Sequence, residues 1–235
     1  MKTIISTINN QIATITLNNP NKSNALDLDM REQLIQAYDE FEKNPDVRII
    51  ILNGNGKHFC AGADLNDMKA MAKAPFEKNL EDAKAFVQLF YKIYLCEKPT
   101  MGYAHGKIMG GGIGLLAACD IAISANDATF LFPEVTIGLI PAMISPFVTQ
   151  RIGYQYAKYH MMTAELLDAK KALKIGLIDR IDQDALSLAE SLLHHNQSAM
   201  QATKKWLNEL RPITAEQVER AAVLLAEVRG TRVSV

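Results

Sequence analysis

The sequence predicts an α/β fold, a layered core of mostly parallel strands and helices that is followed by a helical region. Short apolar stretches rich in β-branched residues alternate with longer stretches of helical spacing, in a strand, strand, helix order that recurs about three or four times. Two turns of small residues each stand between a strand and a helix, as connections in parallel units do. With 235 residues, 49% of them hydrophobic, the chain is long enough for one large core.

The N-terminal part of the chain predicts a hairpin, a helix and a strand. Residues 3–8 and 11–17 alternate in polarity, and Asn9-Asn10 between them favours a tight turn. Asp27 is placed to cap a helix over residues 27–42, whose apolar side chains recur at helical spacing. A continuous apolar run at 47–52 predicts the next strand.

The rest of the chain becomes increasingly helical. A short helix is predicted at 67–72 and a long amphipathic helix at 76–95. A soft boundary predicts two parts, a core over residues 1–184 and a helical region over residues 185–235. The other predicted elements are strands at 99–104, 121–124, 129–132 and 177–181, and helices at 144–152, 154–163, 169–174, 185–194, 199–210 and 215–228.

The composition argues against several classes of function. The formal net charge is −1, from 25 basic and 26 acidic residues, so neither a nucleic-acid nor a membrane surface is expected. Cys60, Cys96 and Cys119 are widely spaced, which predicts no metal site and a reduced, cytoplasmic setting. We expect no signal peptide and no membrane-spanning segment.

The segment Met109-Gly110-Gly111-Gly112-Ile113-Gly114 is the first candidate for a functional site. Three adjacent glycines let another molecule approach the backbone closely, and the segment opens a small, apolar helix. The N–H groups at a helix start lack intrahelical acceptors and favour negative charge. Tight helix packing without any ligand explains the same glycines equally well.

A second turn, Cys60-Ala61-Gly62-Ala63-Asp64, repeats this design after a different strand. If the two strands are neighbours, their turns would aim two backbone N–H groups at one point. Such a pair is an oxyanion hole, which stabilises negative charge as it develops on an oxygen.

Glu134 is the candidate acid/base residue, because it follows Pro133 in an otherwise apolar stretch. Glutamate is rarely buried without a reason, and an apolar site raises the pKa of a carboxyl group towards neutrality. Such a group suits proton transfer. The alternative is a glutamate at a strand end that forms an ion pair with a neighbouring residue.

Several motifs together resemble the crotonase (enoyl-CoA hydratase/isomerase) superfamily from about Ile12 to the end of the chain. The resemblance implies a spiral of β-β-α repeats, a C-terminal helical region for assembly as a homotrimer or dimer of trimers, and an acyl-CoA thioester substrate. It implies no other cofactor, since coenzyme A is part of the substrate. The matching motifs are Asn24-Ala25-Leu26, Phe59 to Leu65, Gly106 to Gly112, Cys119-Asp120-Ile121, Pro133-Glu134, Gly138-Leu139-Ile140-Pro141 and Ala169 to Leu177.

The resemblance also implies roles for individual residues. The N–H groups of Ala63 and Gly111 would hold the thioester oxygen, and Glu134 matches one of the family's two acid/base glutamates. The remaining predicted contacts to the substrate or its CoA portion are Lys22, Asn24, Ala25, Leu26, Ala61, Gly62, Asp64, Leu65, Gly110 and Pro133.

The sequence departs from the best-known hydratases at Gly114, where their second glutamate stands. We expect the glycine to leave room for a water molecule or a bulkier acyl group. Residues 112–115 and 138–146 look most like the methylglutaconyl-CoA hydratase type. The family's further C-terminal helix, with a CoA-facing aromatic residue and a lysine, has no match in this sequence, so weaker CoA binding is expected.

The expected activity is that of a lyase that adds water across the 2,3 double bond of an enoyl-CoA, with Glu134 as acid/base. A Δ3-Δ2-enoyl-CoA isomerase is the alternative enzyme, because it needs the same enolate and the same base. A non-catalytic acyl-CoA binder is the third interpretation.

Overall fold

The computed structural model describes residues 2–71 and 73–231, and for Leu65 and Thr231 it describes the backbone alone. The strands of the described residues are β1 (Ile4–Asn9), β2 (Ile12–Leu17), β3 (Ile49–Gly54), β4 (Thr100–Ala104), β5 (Lys107–Met109), β6 (Ile121–Ser124), β7 (Thr129–Leu131), β8 (Leu167–Asp168) and β9 (Arg180–Ile181).

Nine helices stand between and after these strands in the described part of the chain. They are α1 (Leu28–Lys43), α2 (Leu65–Met71), α3 (Phe76–Leu95), α4 (Gly111–Ala118), α5 (Ser145–Thr163), α6 (Ala169–Lys174), α7 (Leu186–Leu192), α8 (Gln197–Leu210) and α9 (Ala215–Thr231). Short 3-10 helices occupy Pro20–Lys22 and Glu134–Ile137.

The strands form two sheets. The larger sheet has the order β1-β2-β3-β4-β6-β9, in which the β1–β2 pair is antiparallel and the other pairs are parallel. The smaller sheet has the order β5-β7-β8. The predicted α/β fold of the crotonase type is confirmed.

The predicted N-terminal hairpin is confirmed, with Ile4 opposite Leu17 and Asn9 opposite Ile12. Asn10 and Gln11 both have positive φ angles, 46° and 64°, as a two-residue turn that follows the twist of the strands requires. The side chain of Asp27 accepts a hydrogen bond from the Met30 N–H at 2.9 Å, which confirms it as the cap of α1.

Parallel pairing explains the continuous apolar run of β3. Ile12 pairs with Ile49 on one side, and Ile50 pairs with Thr100 on the other, so β3 lies inside the sheet. Its first four residues, Ile49 to Leu52, are all buried, as expected of a strand that is covered on both faces.

The structure differs from the predicted elements at three places. The strands β5 and β8 were not predicted, because two or three residues carry too little pattern. The two helices predicted at 144–152 and 154–163 are confirmed, since Gly153 within α5 has a non-helical backbone, with φ 76°, that separates two helical segments. The strand predicted at 177–181 is shorter, because it pairs with β6 at Arg180 and Ile181 alone among the described residues. Leu177 and Ile178 precede it and are buried.

Helix α9 lies against α3, with Val218, Ala222, Leu225 and Ala226 buried. No helix of the described residues is both long enough and apolar enough to cross a bilayer. The division of the chain at residue 184 stays a prediction.

Candidate active site

The turn at residues 60–64 is held between the loop after β2 and the end of β5. The Ala61 N–H donates to the Ser23 carbonyl at 2.9 Å, and the Met109 N–H donates to the Cys60 carbonyl at 3.0 Å. Gly62 has φ 90°, and a Cβ atom there would lie 2.8 Å from the Met109 carbonyl oxygen. Glycine is therefore required where this turn meets the second one.

The turn at Gly110 and Gly111 starts α4, whose residues are all buried. A Cβ atom on Gly112 would lie 2.4 Å from the Cys60 carbonyl oxygen, so the backbones of the two turns touch. The position of a Cβ atom on Gly62 is likewise 3.3 Å from the Gly111 nitrogen. The close approach expected of the glycines therefore occurs between the two turns themselves.

The N–H groups of Ala63 and Gly111 at these turns have no acceptor within the described residues. Gly111 is the first residue of α4, so its N–H lacks an intrahelical partner and lies at the positive end of the helix dipole. Both residues line one cavity of about 630 Å³. This arrangement can stabilise an oxygen on which negative charge develops.

Glu134 lines the same cavity, which we call the Glu134 cavity. Its Oε2 atom is buried and has no hydrogen-bond partner among the described residues. Its Oε1 atom lies 2.9 Å from the position that a Cβ atom would take on Gly110, so the carboxyl group approaches the start of α4.

Burial raises the pKa of Glu134 to about 7, because the charged form loses hydration and no cation compensates for that loss within the described residues. The alternative of an ion pair at a strand end is wrong, since no described cation lies within 4 Å of this carboxyl group. A carboxyl group that titrates near neutral pH can both accept and return a proton.

Comparison with known proteins identifies the family. A sequence profile described as Enoyl-CoA hydratase/isomerase matches residues 7–230. The solved structure of an enoyl-CoA hydratase from Shewanella pealeana ATCC 700345 is 36% identical with a TM-score of 0.86, over 97% of this chain and 88% of that one. The chain belongs to the enoyl-CoA hydratase/isomerase family. The resemblance to the crotonase superfamily is thereby confirmed.

Relatives within the enoyl-CoA hydratase/isomerase family include both hydratases and isomerases. The short-chain-enoyl-CoA hydratase of Clostridium acetobutylicum is 31% identical over 212 residues, 84% of this chain and 78% of the relative. The peroxisomal Delta(3,5)-Delta(2,4)-dienoyl-CoA isomerase of Arabidopsis thaliana is 30% identical over 221 residues, 86% and 79% of the two chains. Membership of the family therefore leaves the reaction of this chain open between the two.

The position of the family's second glutamate, Gly114, lies outside the Glu134 cavity and is buried. A Cβ atom there would lie 2.5 Å from Ile144 Cγ2 and 3.0 Å from Phe90 Cζ. The expectation that Gly114 leaves room for water or for a bulkier acyl group is therefore wrong. These two apolar side chains already occupy the space that a side chain at 114 would need.

Some of the residues predicted to contact the substrate or its CoA portion line the Glu134 cavity, and others do not. Lys22, Ala25, Ala61, Gly62, Asp64, Gly110 and Pro133 line the Glu134 cavity. Asn24 and Leu26 do not line it, and both are fully buried. The Asn24 amide instead donates to the carbonyls of Asn55, His58 and Phe59, which holds the loop in place. The side chain of Leu65 lies outside the described part of the structure.

Lys22 and Asp64 form an ion pair at the rim of the Glu134 cavity, with Nζ and Oδ2 3.0 Å apart. Burial opposes the ionisation of Asp64, but hydrogen bonds from Lys22 and from the backbone N–H groups of Asn66 and Asp67 outweigh it and lower the pKa of that carboxyl. Asp64 is therefore an ionised group that joins the loop at Lys22 to the start of α2.

Sequence reasoning missed the contribution of α9, which places Leu225 and Arg229 on the wall of the Glu134 cavity. A signal was present in the sequence. Val218, Ala222, Leu225 and Arg229 recur at helical spacing, so the arginine falls on the apolar face of the helix. A charged residue on such a face is a candidate for a buried, functional contact.

Proposed function

We propose that this protein hydrates a 2-enoyl-CoA thioester. The observation that carries the proposal is the buried, unpaired carboxyl of Glu134 in one cavity with the free N–H groups of Ala63 and Gly111. These three groups supply what the reaction needs, namely an acid/base group beside two fixed hydrogen-bond donors.

In the proposed mechanism the thioester oxygen accepts hydrogen bonds from the two N–H groups, which makes Cβ electrophilic. Glu134 takes a proton from water as its oxygen attacks Cβ, and a proton is then returned to Cα. The two donors stabilise the negative charge of the enolate, and the loss of one such donor typically costs about 3–4 kcal/mol of barrier.

A Δ3-Δ2-enoyl-CoA isomerase is the second candidate, and the filled position at Gly114 favours it. Among the described residues that line the Glu134 cavity, the two acids are Asp64, which is paired with Lys22, and Glu134. An isomerase needs one base that removes the Cα proton and delivers it to Cγ. A single carboxyl group is sufficient for that transfer.

Three substrates measured side by side test the proposal, namely crotonyl-CoA, methylglutaconyl-CoA and a 3-enoyl-CoA. Hydration of either 2-enoyl thioester, lost in Glu134→Gln, supports the hydratase. Turnover of the 3-enoyl-CoA alone supports the isomerase. Binding of a CoA ester without any turnover identifies a non-catalytic binder and contradicts both enzymes. The methylglutaconyl subtype rests on the likeness of residues 112–115 and 138–146, and the second substrate tests it.

We also propose that the chain assembles as a homotrimer or a dimer of trimers. Large apolar side chains are exposed on α5, at Tyr154, Tyr159 and Met162, and on α8, at Trp206 and Leu210. Exposed apolar surface of this kind is typical of subunit contacts. Sedimentation equilibrium tests the assembly, and a purely monomeric protein would contradict it.

A further inference from the structure

A buried cluster of three charged residues stands beside the Glu134 cavity, and we call it the arginine cluster: Arg31, Asp82 and Arg229. Arg31 Nη2 lies 2.8 Å from Asp82 Oδ1, and Arg229 Nη1 lies 2.7 Å from Asp82 Oδ2. The exposed fractions of the three side chains are 3%, 12% and 5%. Both arginines are therefore withdrawn from water onto one carboxylate.

The charges within the arginine cluster do not balance, because two cations share one anion. Burial of an unbalanced charge is costly, and Arg31 with Asp82 alone would already make a neutral pair. Burial and the charge of Asp64 raise the pKa of Asp67, whereas the nearby Arg31 lowers it, and Asp67 forms no ion pair with any described cation. The ion pair between Arg229 and Asp82 connects α9 to α3 and leaves two guanidinium groups on one carboxylate.

The two arginines also differ in how many N–H groups they use. Arg31 donates from Nε, Nη1 and Nη2, and its guanidinium stacks 3.9 Å from the centre of the Phe86 ring. Arg229 donates from Nη1 alone among the contacts of the described residues. Arg229 also lines the Glu134 cavity, whereas Arg31 does not. Within the described residues, Arg229 is thus the member of the arginine cluster that has N–H groups without an acceptor and that lines the cavity.

The arginine cluster lies away from the reacting groups, at the part of the cavity lined by Phe86 and Leu225. Phe90 stands beside Gly111 and Gly114, and Asp82 precedes it by eight residues on α3, about 12 Å along the helix axis. No charged side chain is among the causes of the raised pKa of Glu134. A guanidinium on this wall can contact a part of the ligand that lies away from the reacting carbon.

We propose that Arg229 is a specificity-determining residue that selects an acyl group ending in a carboxylate. The proposal rests on the proposed function, since it names the substrate class of the same cavity. A guanidinium binds a carboxylate through charge-assisted hydrogen bonds, which can be bidentate. The incoming carboxylate supplies the anion that the arginine cluster lacks. A methyl-terminated chain leaves the excess positive charge unbalanced.

The anion could also be a phosphate of the CoA portion, which every substrate carries. A matched pair of substrates separates these two sources. Glutaconyl-CoA and 2-pentenoyl-CoA have the same chain length and differ in a terminal carboxylate against a terminal methyl group. A phosphate contact affects both substrates equally, whereas a contact to the acyl terminus changes the ratio of their kcat/KM values.

The experiment compares that ratio in the wild-type protein and in Arg229→Met. We expect the wild type to prefer glutaconyl-CoA and the variant to lose about 10-fold to 100-fold of that preference, as expected for a lost hydrogen bond to a charged group. Arg229→Lys keeps the charge and should retain part of the preference. Arg220→Met is the matched control, because Arg220 lies on the same helix, is exposed and does not line the cavity.

Three outcomes would overturn the proposal. One is an equal loss on both substrates in Arg229→Met, which assigns the contact to CoA or to the stability of α9. Another is unchanged kcat/KM values for both substrates in Arg229→Met. The third is a loss of preference in Lys69→Met instead, since Lys69 is another cation on the cavity wall. Thermal unfolding of each variant checks that α9 remains folded.

Binding of saturated acyl-CoA analogues tests the role of Arg229 independently of whether the protein has the proposed activity. The Kd values of glutaryl-CoA and valeryl-CoA, measured by calorimetry, report the preference without turnover. If the protein turns over no enoyl-CoA but binds glutaryl-CoA more tightly in an Arg229-dependent way, the proposed function fails and this inference stands. If it hydrates 2-pentenoyl-CoA and shows no preference in either assay, this inference alone fails.

Discussion

Positions 134 and 114 are the two at which the resemblance leads us to expect the family's acid/base glutamates, and their surroundings differ sharply. At 134 the carboxyl group lies in a cavity with an unpartnered oxygen. At 114 there is no side chain, and Phe90 and Ile144 fill the space around the glycine. The difference is one of packing as well as of sequence, because a carboxyl group introduced at 114 would enter an apolar core.

The groups proposed to act in the reaction do not involve position 114. The donors at Ala63 and Gly111 belong to the backbone, so they do not depend on the side chain at 114. Glu134 approaches the start of α4 from a different segment of the chain. The site therefore depends on one carboxyl group, and the following experiments test that dependence.

The largest expected effect is that of Glu134→Gln on turnover. The amide has the shape of the carboxyl group but cannot accept the proton, so kcat should fall about 10³-fold. Initial rates on the substrate that the wild type prefers measure the effect. Glu165→Gln, at an exposed ion pair with Lys171, is the matched control and should keep full activity. Near-normal turnover in Glu134→Gln would remove this carboxyl group from the mechanism.

The protonation state of Glu134 should determine how both the activity and the stability of the protein depend on pH. Because the base form is needed for hydration, kcat/KM should rise with pH and reach half its maximum near 7, the pKa to which burial raises this carboxyl group.

The raised pKa of Glu134 should make activity rise with pH but make the stability of the fold fall with pH. Between pH 4.5 and about 7 the unfolded chain has released the proton of Glu134, while the folded protein still holds it. The free energy of unfolding therefore falls as pH rises through this window, by at most about 3 kcal/mol. Urea unfolding of the wild type and of Glu134→Gln, compared from pH 4 to 8, isolates this contribution. Identical pH profiles for the two proteins would contradict the raised pKa.

Gly114→Ala tests the packing at the second position. The new Cβ atom would lie 2.5 Å from Ile144 Cγ2, so the free energy of unfolding should fall by about 1–3 kcal/mol. Gly230→Ala is the matched control within α9, where a Cβ atom would meet nothing within 4 Å. It should be neutral or stabilising by up to about 1 kcal/mol. Equal effects of the two changes, measured by urea unfolding, would show that position 114 is not tightly packed.

Gly110→Ala should have the smallest effect on activity. It changes the start of α4 at the point where the carboxyl group of Glu134 approaches it. A Cβ atom there would lie 2.9 Å from Glu134 Oε1, and the backbone has φ 46°, which disfavours alanine. The carboxyl group has to move, so we expect kcat to fall about tenfold, less than in Glu134→Gln. Steady-state rates measure the loss, and thermal unfolding separates it from the cost of backbone strain. Unchanged rates would mean that the position of Glu134 tolerates displacement.

Local sequence patterns predicted most of the fold. The helix at 76–95 was predicted with its observed ends, since twenty residues of clear helical spacing leave little ambiguity. The strands β5 and β8 were missed, because strands of two or three residues form only through pairing with β7. The break between two helices at Gly153 was predicted, since glycine allows the positive φ angle found there.

The candidate site was also predicted in its main parts, because it is built from local features. Glycines at two turns and a glutamate after a proline are visible in the sequence, and they line one cavity in the structure. Arg229 was missed as a site residue. Its place on the cavity wall depends on the packing of α9 against α3, which brings it to a carboxylate 147 residues away in the chain.

The sequence by itself determined which segments become strands and helices, where backbone donors are exposed by glycine, and which carboxyl group stands in an apolar stretch. These properties depend on neighbouring residues, whose propensities and spacing act over a few turns of chain. Only the tertiary structure decided that Phe90 and Ile144 close position 114 and that Arg229 faces the cavity. Such contacts join segments that are distant in the chain. They are determined by the close packing of side chains, which no local sequence pattern encodes.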